Sequence, residues 1–267
     1  MFSYYLITRP PDGLPREAGI LTRRIVSGRG KPAPLLVLCL TAMLLVTGCS
    51  LPWQHNADAS GPAPTTKQLL AALQKNFRTV TSFHVVMSVA NPGTTNASQI
   101  QIRAANGDIL MPDKVKAQAT IILSGQSITV NVISVGATQF ITDPITGQWR
   151  VVKGVLDAST LTNPNTGILA LVSKVQNVSQ PVSDSVNNTP CWRVTGQLDA
   201  RYIAFFTGGG VPAGTMLQTT ACLGKSDSLP YEVKVVGEAA AGDNANTARA
   251  FIISNYNENI SISAPKL

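Results

Sequence analysis

The chain has 267 residues and a net charge of +7, with charged residues making up only 13%, about half the roughly 25% usual for globular domains. Six basic and two acidic residues fall in the first 48 positions, so the remainder carries only +3 (15 basic against 12 acidic). No basic run survives beyond that stretch, so the basic balance is no argument for nucleic-acid binding and no such partner is expected.

Leu35 to Val46 is an uninterrupted run of 12 residues with no charge, preceded by Arg29 and Lys31. As a helix it spans about 18 Å, short of a bilayer core of roughly 30 Å, and it fits the apolar core of an export signal. Val46-Thr47-Gly48-Cys49 follows at once. This tetrapeptide resembles a lipobox, in which a small residue precedes a cysteine that takes a diacylglyceryl group and becomes the mature N-terminus. Val46 and Thr47 depart mildly from the commoner residues at those places. The expected division is a signal peptide over 1–48, a lipid-anchored tether over 49–65 and one domain over 66–267. Two acyl chains anchor stably where one does not. The expected location is therefore the outer face of the cell membrane. Ser50 to Thr65 is polar, holds three prolines and reads as the tether.

Of four cysteines, Cys39 lies in the leader and Cys49 in the lipobox, leaving Cys191 and Cys222. An even pair in an exported chain points to a disulfide, with two free thiols as the alternative. No CxxC spacing exists, so no metal or redox site is expected.

Thr66 to Val80 carries Leu69, Leu70, Leu73, Phe77 and Val80 at intervals of three and four, and Thr65 with Gln68 has capping-box spacing; a helix is predicted. The period then becomes two. Strands are predicted around Phe83 to Val89, Ile100 to Arg103, Lys114 to Ile121, Ile128 to Val132, Thr138 to Thr142 and Gln148 to Val152. Turns are predicted at Ser124-Gly125-Gln126 and Asp143 to Gly147. Asp157 to Leu161 reads as one helical turn, and Thr166 is placed to cap a stripe of Ile168, Leu169, Leu171, Val172 and Val175. Strands resume at Val182 to Val186 and Trp192 to Leu198, followed by a short helix over Asp199 to Phe206 and a glycine loop. Met216 to Leu223, Tyr231 to Val236, Arg249 to Asn255 and Asn259 to Ser263 are the closing strands.

Clean alternation of this kind belongs to antiparallel sheets wetted on one side. About ten strands in one long meander, with two or three helices, make an α+β fold. Its simplest form is a strongly curved half-barrel wrapped around its helices. The inward residues are often small, which leaves room for a cavity; a solid core of the same residues fits the pattern equally well.

Three stretches in order carry a family resemblance. They are Val80-Thr81-Ser82-Phe83-His84-Val85, the segment Leu161-Thr162-Asn163-Pro164-Asn165-Thr166-Gly167-Ile168, and Ser254-Asn255-Tyr256-Asn257-Glu258 leading to Ile260, Ile262 and Pro265. Over residues 65 to 265 the chain resembles the LppX/LprAFG family of cell-envelope lipoproteins. The resemblance implies a half-barrel with helices on its concave face, enclosing an apolar cavity for acyl chains, and a role in binding and carrying lipids or glycolipids across the envelope. Neither the cysteine pair nor the run Gly208 to Gly210 is carried over from it.

Cavity candidates from the inward alternates are Val85, Met87, Ile100, Ile102, Val115, Ala117, Ile121, Ile128, Val130 and Val132. Leu161, Ile168, Leu169, Leu171 and Val172 are expected to face them from the helical side, with the loop from Thr207 to Thr215 as a gate. The expected partners are a lipid or glycolipid, the membrane through Cys49 and an envelope transporter, with the chain a monomer. No catalytic role or cofactor is expected. His55 lies in the tether, His84 reads as a surface or structural residue, and Asp108, Asp113 and Asp143 read as turn formers. Phe140 and Trp149 read as core packing or as a cavity plug. The alternative function is a surface scaffold or adhesion domain with a filled core.

Overall fold

The computed structural model describes residues 62–94, 101–154, 158–163, 171, 174–207 and 210–267. The leader, Cys49 and most of the tether lie outside these residues, as do Ile100, Ile168, Leu169 and Val172.

Helix α1 (Thr66–Phe77) starts where the capping box predicts. The Thr65 hydroxyl accepts from the Gln68 backbone N–H, and the Gln68 side chain accepts from the Thr65 N–H. Its stripe of Leu69, Leu73 and Phe77 is buried, and the chain then turns extended into β1 (Ser82–Ala90). Antiparallel to β1 lies β2 (Gln101–Leu110), and three strands continue from it by short reversals: β3 (Lys114–Leu123), β4 (Gln126–Val135) and β5 (Thr138–Thr142). The β3–β4 hairpin closes on Ser124 and Gly125, with φ of 51° and 78°. Two positive angles are what a two-residue turn needs to match the strand twist. After β6 (Trp149–Val152) and the short helix α2 (Ala158–Thr162), the chain reaches β7 (Val182–Val186) and β8 (Thr189–Asp199). A 3₁₀ turn at Ala200–Ile203, capped by the Asp199 carboxylate, leads into α3 (Ala204–Thr207). Strands β9 (Met216–Gly224), β10 (Pro230–Val236) and β11 (Ala248–Ser254) complete the set.

All eleven strands form one antiparallel sheet in the order β6-β5-β4-β3-β2-β1-β11-β10-β9-β8-β7. The expectation of one long meander is thereby corrected. Two meanders, β1–β6 and β7–β11, are joined by the pairing of β1 with β11. Segment 153–181 carries the chain from one outer edge of the sheet to the other. The sheet is curved and unclosed, because β6 and β7 are edges and do not pair with each other.

Register follows the hydrophobic pattern, since a one-residue slip would turn every apolar side chain outward. One row crosses eight strands: Val130–Ala119–Ala105–Met87–Phe251–Val233–Ala221–Val194. Every residue of it is apolar, so the two meanders share one continuous oily face.

The predicted last strand, Asn259 to Ser263, is not a strand. Thr81 N–H donates to Asn257 Oδ1 at 2.8 Å and the Ser82 hydroxyl to the Glu258 carbonyl at 2.6 Å, tying this tail to the start of β1. Buried Ile262 then packs with Ile133 and Phe140, beside Ile260 and Trp149, on the face opposite the oily row. Alternate isoleucines read alike whether their backbone joins a ladder or merely lies across a sheet. The same cluster settles Phe140 and Trp149 as packing residues rather than a cavity plug.

Candidate functional site: an apolar pocket on the sheet

A pocket of about 700 Å³ lies on the oily face, within the usual range for ligand sites of roughly 300–1,000 Å³. Predicted residues Val85, Met87, Ile102, Val115, Ala117, Ile121, Val130, Val132, Leu161 and Leu171 all line it. Ile128 does not. It sits opposite Ile121 near the β3–β4 turn, beyond the lining. The alternation reports which face a residue occupies but not how far along the strand the pocket reaches.

Sequence reasoning missed the other half of the wall. Val194, Ala221, Val233 and Phe251 line it from the second meander, with Leu73 of α1 and Phe206 of α3. The same period of two marks β8 to β11, so the signal was present. What it lacked was the β1–β11 pairing that brings the two halves onto one face.

No charged residue lines the pocket among the described residues. Its polar side chains are Asn106, Thr195, Thr207 and Thr219, and the Thr207 hydroxyl donates to the Ala239 carbonyl at 2.7 Å. Small side chains make the space. Gly107 faces Ala117 across β2 and β3, and a Cβ there would lie 2.6 Å from the Ala117 Cβ. Along β3 the oily-face residues grow more exposed toward the hairpin, from Val115 at 3% through partly exposed Ala117, Ala119 and Ile121 to Leu123 at 36%. On β2 the same trend runs from buried Ile109 and Gly107 to partly exposed Ala105 and Ile102.

One buried charge on this face is neutralised by an ion pair. Arg249 stands between Val89 and Val235 on the oily side. Its guanidinium donates to both Asp243 oxygens, at 2.6 and 3.0 Å. Asp243 also accepts from the Ala239 and Ala240 N–H groups, and the two side chains are 5% and 0% exposed.

On the opposite face, His84 Nδ1 lies 2.7 Å from Asp108 Oδ1 as a cross-strand pair. Asp108 is thus a strand residue, not the turn former expected; strand β2 extends through it to Leu110. Asp143 does shape a turn, accepting from the Ile145 and Thr146 N–H groups, and these donors hold its carboxyl below the usual range. Cys191 and Cys222 are disulfide-bonded, Cα to Cα 5.5 Å, joining β8 to β9. They too lie away from the pocket, since Cys222 pairs with Arg193 while its neighbours Ala221 and Leu223 line the oily side.

Burial pushes the Tyr231 phenol up to about 12, helped by its hydrogen bond to Asp227. Burial raises Tyr256 further. The two rings meet edge to face at 5.6 Å.

An unclosed, curved antiparallel sheet with one continuous apolar face and a pocket upon it defines the class of protein: an open half-barrel. Residues 65–262 match the LppX/LprAFG lipoprotein family, and the chain belongs to that family. It is similar to the lipoarabinomannan carrier protein LprG of Mycolicibacterium smegmatis, 25% identical over 173 residues that cover 62% of this chain and 70% of the relative. The fold is that of LprF from Mycobacterium bovis (TM-score 0.59, 17% identity, 76% of this chain and 99% of the other). It is also that of the Mycobacterium tuberculosis lipoprotein LppX (TM-score 0.52, 17% identity, 74% and 100%).

Proposed function

We propose that the chain is a surface-anchored lipoprotein that binds and carries lipids or glycolipids in a cavity enclosed between the concave face of the sheet and its helical segments. One observation carries this reading: a space of about 700 Å³ with an apolar wall and no charged residue among those described. A filled-core scaffold leaves that space without a role. Family membership and the carrier LprG among its relatives support the same reading.

Binding is by burial and needs no catalytic group, so the protein acts as a carrier and not an enzyme. Each methylene moved from water contributes about 0.8 kcal/mol, and about ten of them roughly 8 kcal/mol, which is micromolar affinity before ordering costs. The proposed arrangement has the signal peptide 1–48 removed, Cys49 acylated, and 49–65 as the tether. An envelope transporter that supplies or receives the lipid completes it.

Organic extraction of the purified protein followed by mass spectrometry tests the carrier reading. Lipid is expected in the unsubstituted protein. In Ala119→Trp, which fills the row between Ala105 and Val130, lipid content falls several-fold while the thermal transition is retained. Protein purified from its own membranes without any lipid refutes the proposal. Cys49→Ser tests the anchor separately: the chain moves from the membrane to the soluble fraction.

A further inference from the structure

We infer that the end of the sheet bearing the β3–β4 and β5–β6 hairpins docks on a lipid bilayer, with Leu123 and Ile145 entering its surface. Both hairpins turn at the same end of the sheet, because β3 and β5 each run antiparallel to β4. On β2 and β3 this is also the end toward which the oily face grows more exposed. The row from Val115 to Ile121 lines the pocket and ends on Leu123. A chain passing between pocket and bilayer along β3 meets apolar surface all the way to this end.

Ile145 stands at the tip of the β5–β6 turn and is 92% exposed. The turn around it is built to leave water. The Ile145 and Thr146 N–H groups donate to Asp143 Oδ1 at 3.0 and 2.9 Å. Gly147 N–H donates to the Asp143 carbonyl and Asp143 N–H to the Gln148 carbonyl, at 2.9 and 2.8 Å. Pro144 has no N–H. An apolar residue on a turn with satisfied donors enters the headgroup region without orphaning backbone groups. Residues 122–128 hold no charge and 143–149 hold only Asp143, already engaged by these donors. Arg150, exposed on β6 just behind the tip, is placed to meet lipid phosphates.

The inference rests on the carrier reading for its purpose but is tested apart from it. The full chain is reconstituted into phosphatidylcholine vesicles containing some phosphatidylglycerol. Leu123→Trp and Ile145→Trp are compared with Val182→Trp, a 65% exposed position on edge strand β7. The readout is quenching by brominated acyl chains, beyond that of the unsubstituted protein. The added emission at 123 and 145 is expected to be quenched about threefold more strongly than at 182. Equal quenching at all three positions overturns the inference. Ile145→Asp, which lies off the β3 row and outside the pocket lining, is expected to slow transfer of a fluorescent phospholipid between vesicles severalfold and to leave its uptake from detergent micelles unchanged. Unchanged transfer in that variant also overturns it. If the unsubstituted protein takes up no phospholipid from micelles, the carrier reading fails instead, and the quenching comparison still decides the docking.

Discussion

Arg249 and Asp243 show what one buried pair can hold. Asp243 binds two backbone N–H groups of the β10–β11 connection besides the guanidinium, so the pair fixes that loop against the oily side of β11. Removing one partner strands a buried charge, which costs about 3–5 kcal/mol. Arg249→Ala is therefore expected to lose that much in urea denaturation. Tyr231 contributes to alkaline behaviour beside Tyr256, which burial raises further. The Tyr231 phenol ionises near 10 when unfolded and at about 12 when folded. Between those values the unfolded chain has released a proton that the folded chain keeps. Stability is then fully present below pH 10 and falls as pH rises through about 12. Tyr231→Phe is expected to make that part of the profile shallower in circular dichroism, with the share due to Tyr256 remaining. At this scale the sequence was readable where the residue acts locally: Thr65 caps α1 and Asp143 closes a turn, each within three or four positions. It misled at Asp108, whose partner His84 lies 24 positions away across a strand pair.

Among the elements, the segment leading into β7 depends on a glycine. Gln176 and Gln197 exchange backbone hydrogen bonds at 2.8 and 2.9 Å, and Ser179 N–H donates to Thr195. A Cβ on Gly196 would lie 2.5 Å from Val175 Cγ1 and 2.9 Å from the Gln176 carbonyl. Gly196→Val is expected to cost about 1–3 kcal/mol through overpacking. Faster hydrogen exchange in residues 174–180 checks that the damage falls there. The disulfide acts on the other face. Its 31-residue separation corresponds to about 4 kcal/mol of restricted unfolded chain. The double variant Cys191→Ser, Cys222→Ser is expected to lose that stability in a guanidinium melt. Lipid content per folded molecule should stay the same, because neither cysteine lines the pocket. Hairpins and helix α1 were legible from period and turn residues. The tail after Ser254 was not, since its alternate isoleucines pack on the sheet without joining it.

For the whole molecule, the decisive contact is β1 with β11, seven paired positions between residues 84 and 254. It turns two local meanders into one curved sheet and doubles the wall of the pocket. Ten of the predicted lining residues come together there, all from the first meander or from the chain that follows it. The second wall and the pocket's limits emerge only in three dimensions. The amino-acid sequence by itself determined which side chains share a face, because a strand repeats every two residues and α1 every 3.6, whatever lies beyond them. It also determined the tight turns, whose backbone angles are set by the residues within them. Only the tertiary structure decided which strands are neighbours, which face meets the tail, and where the oily surface is left uncovered. Those outcomes depend on contacts between distant segments, and no local periodicity encodes how far apart in the chain two touching strands will be.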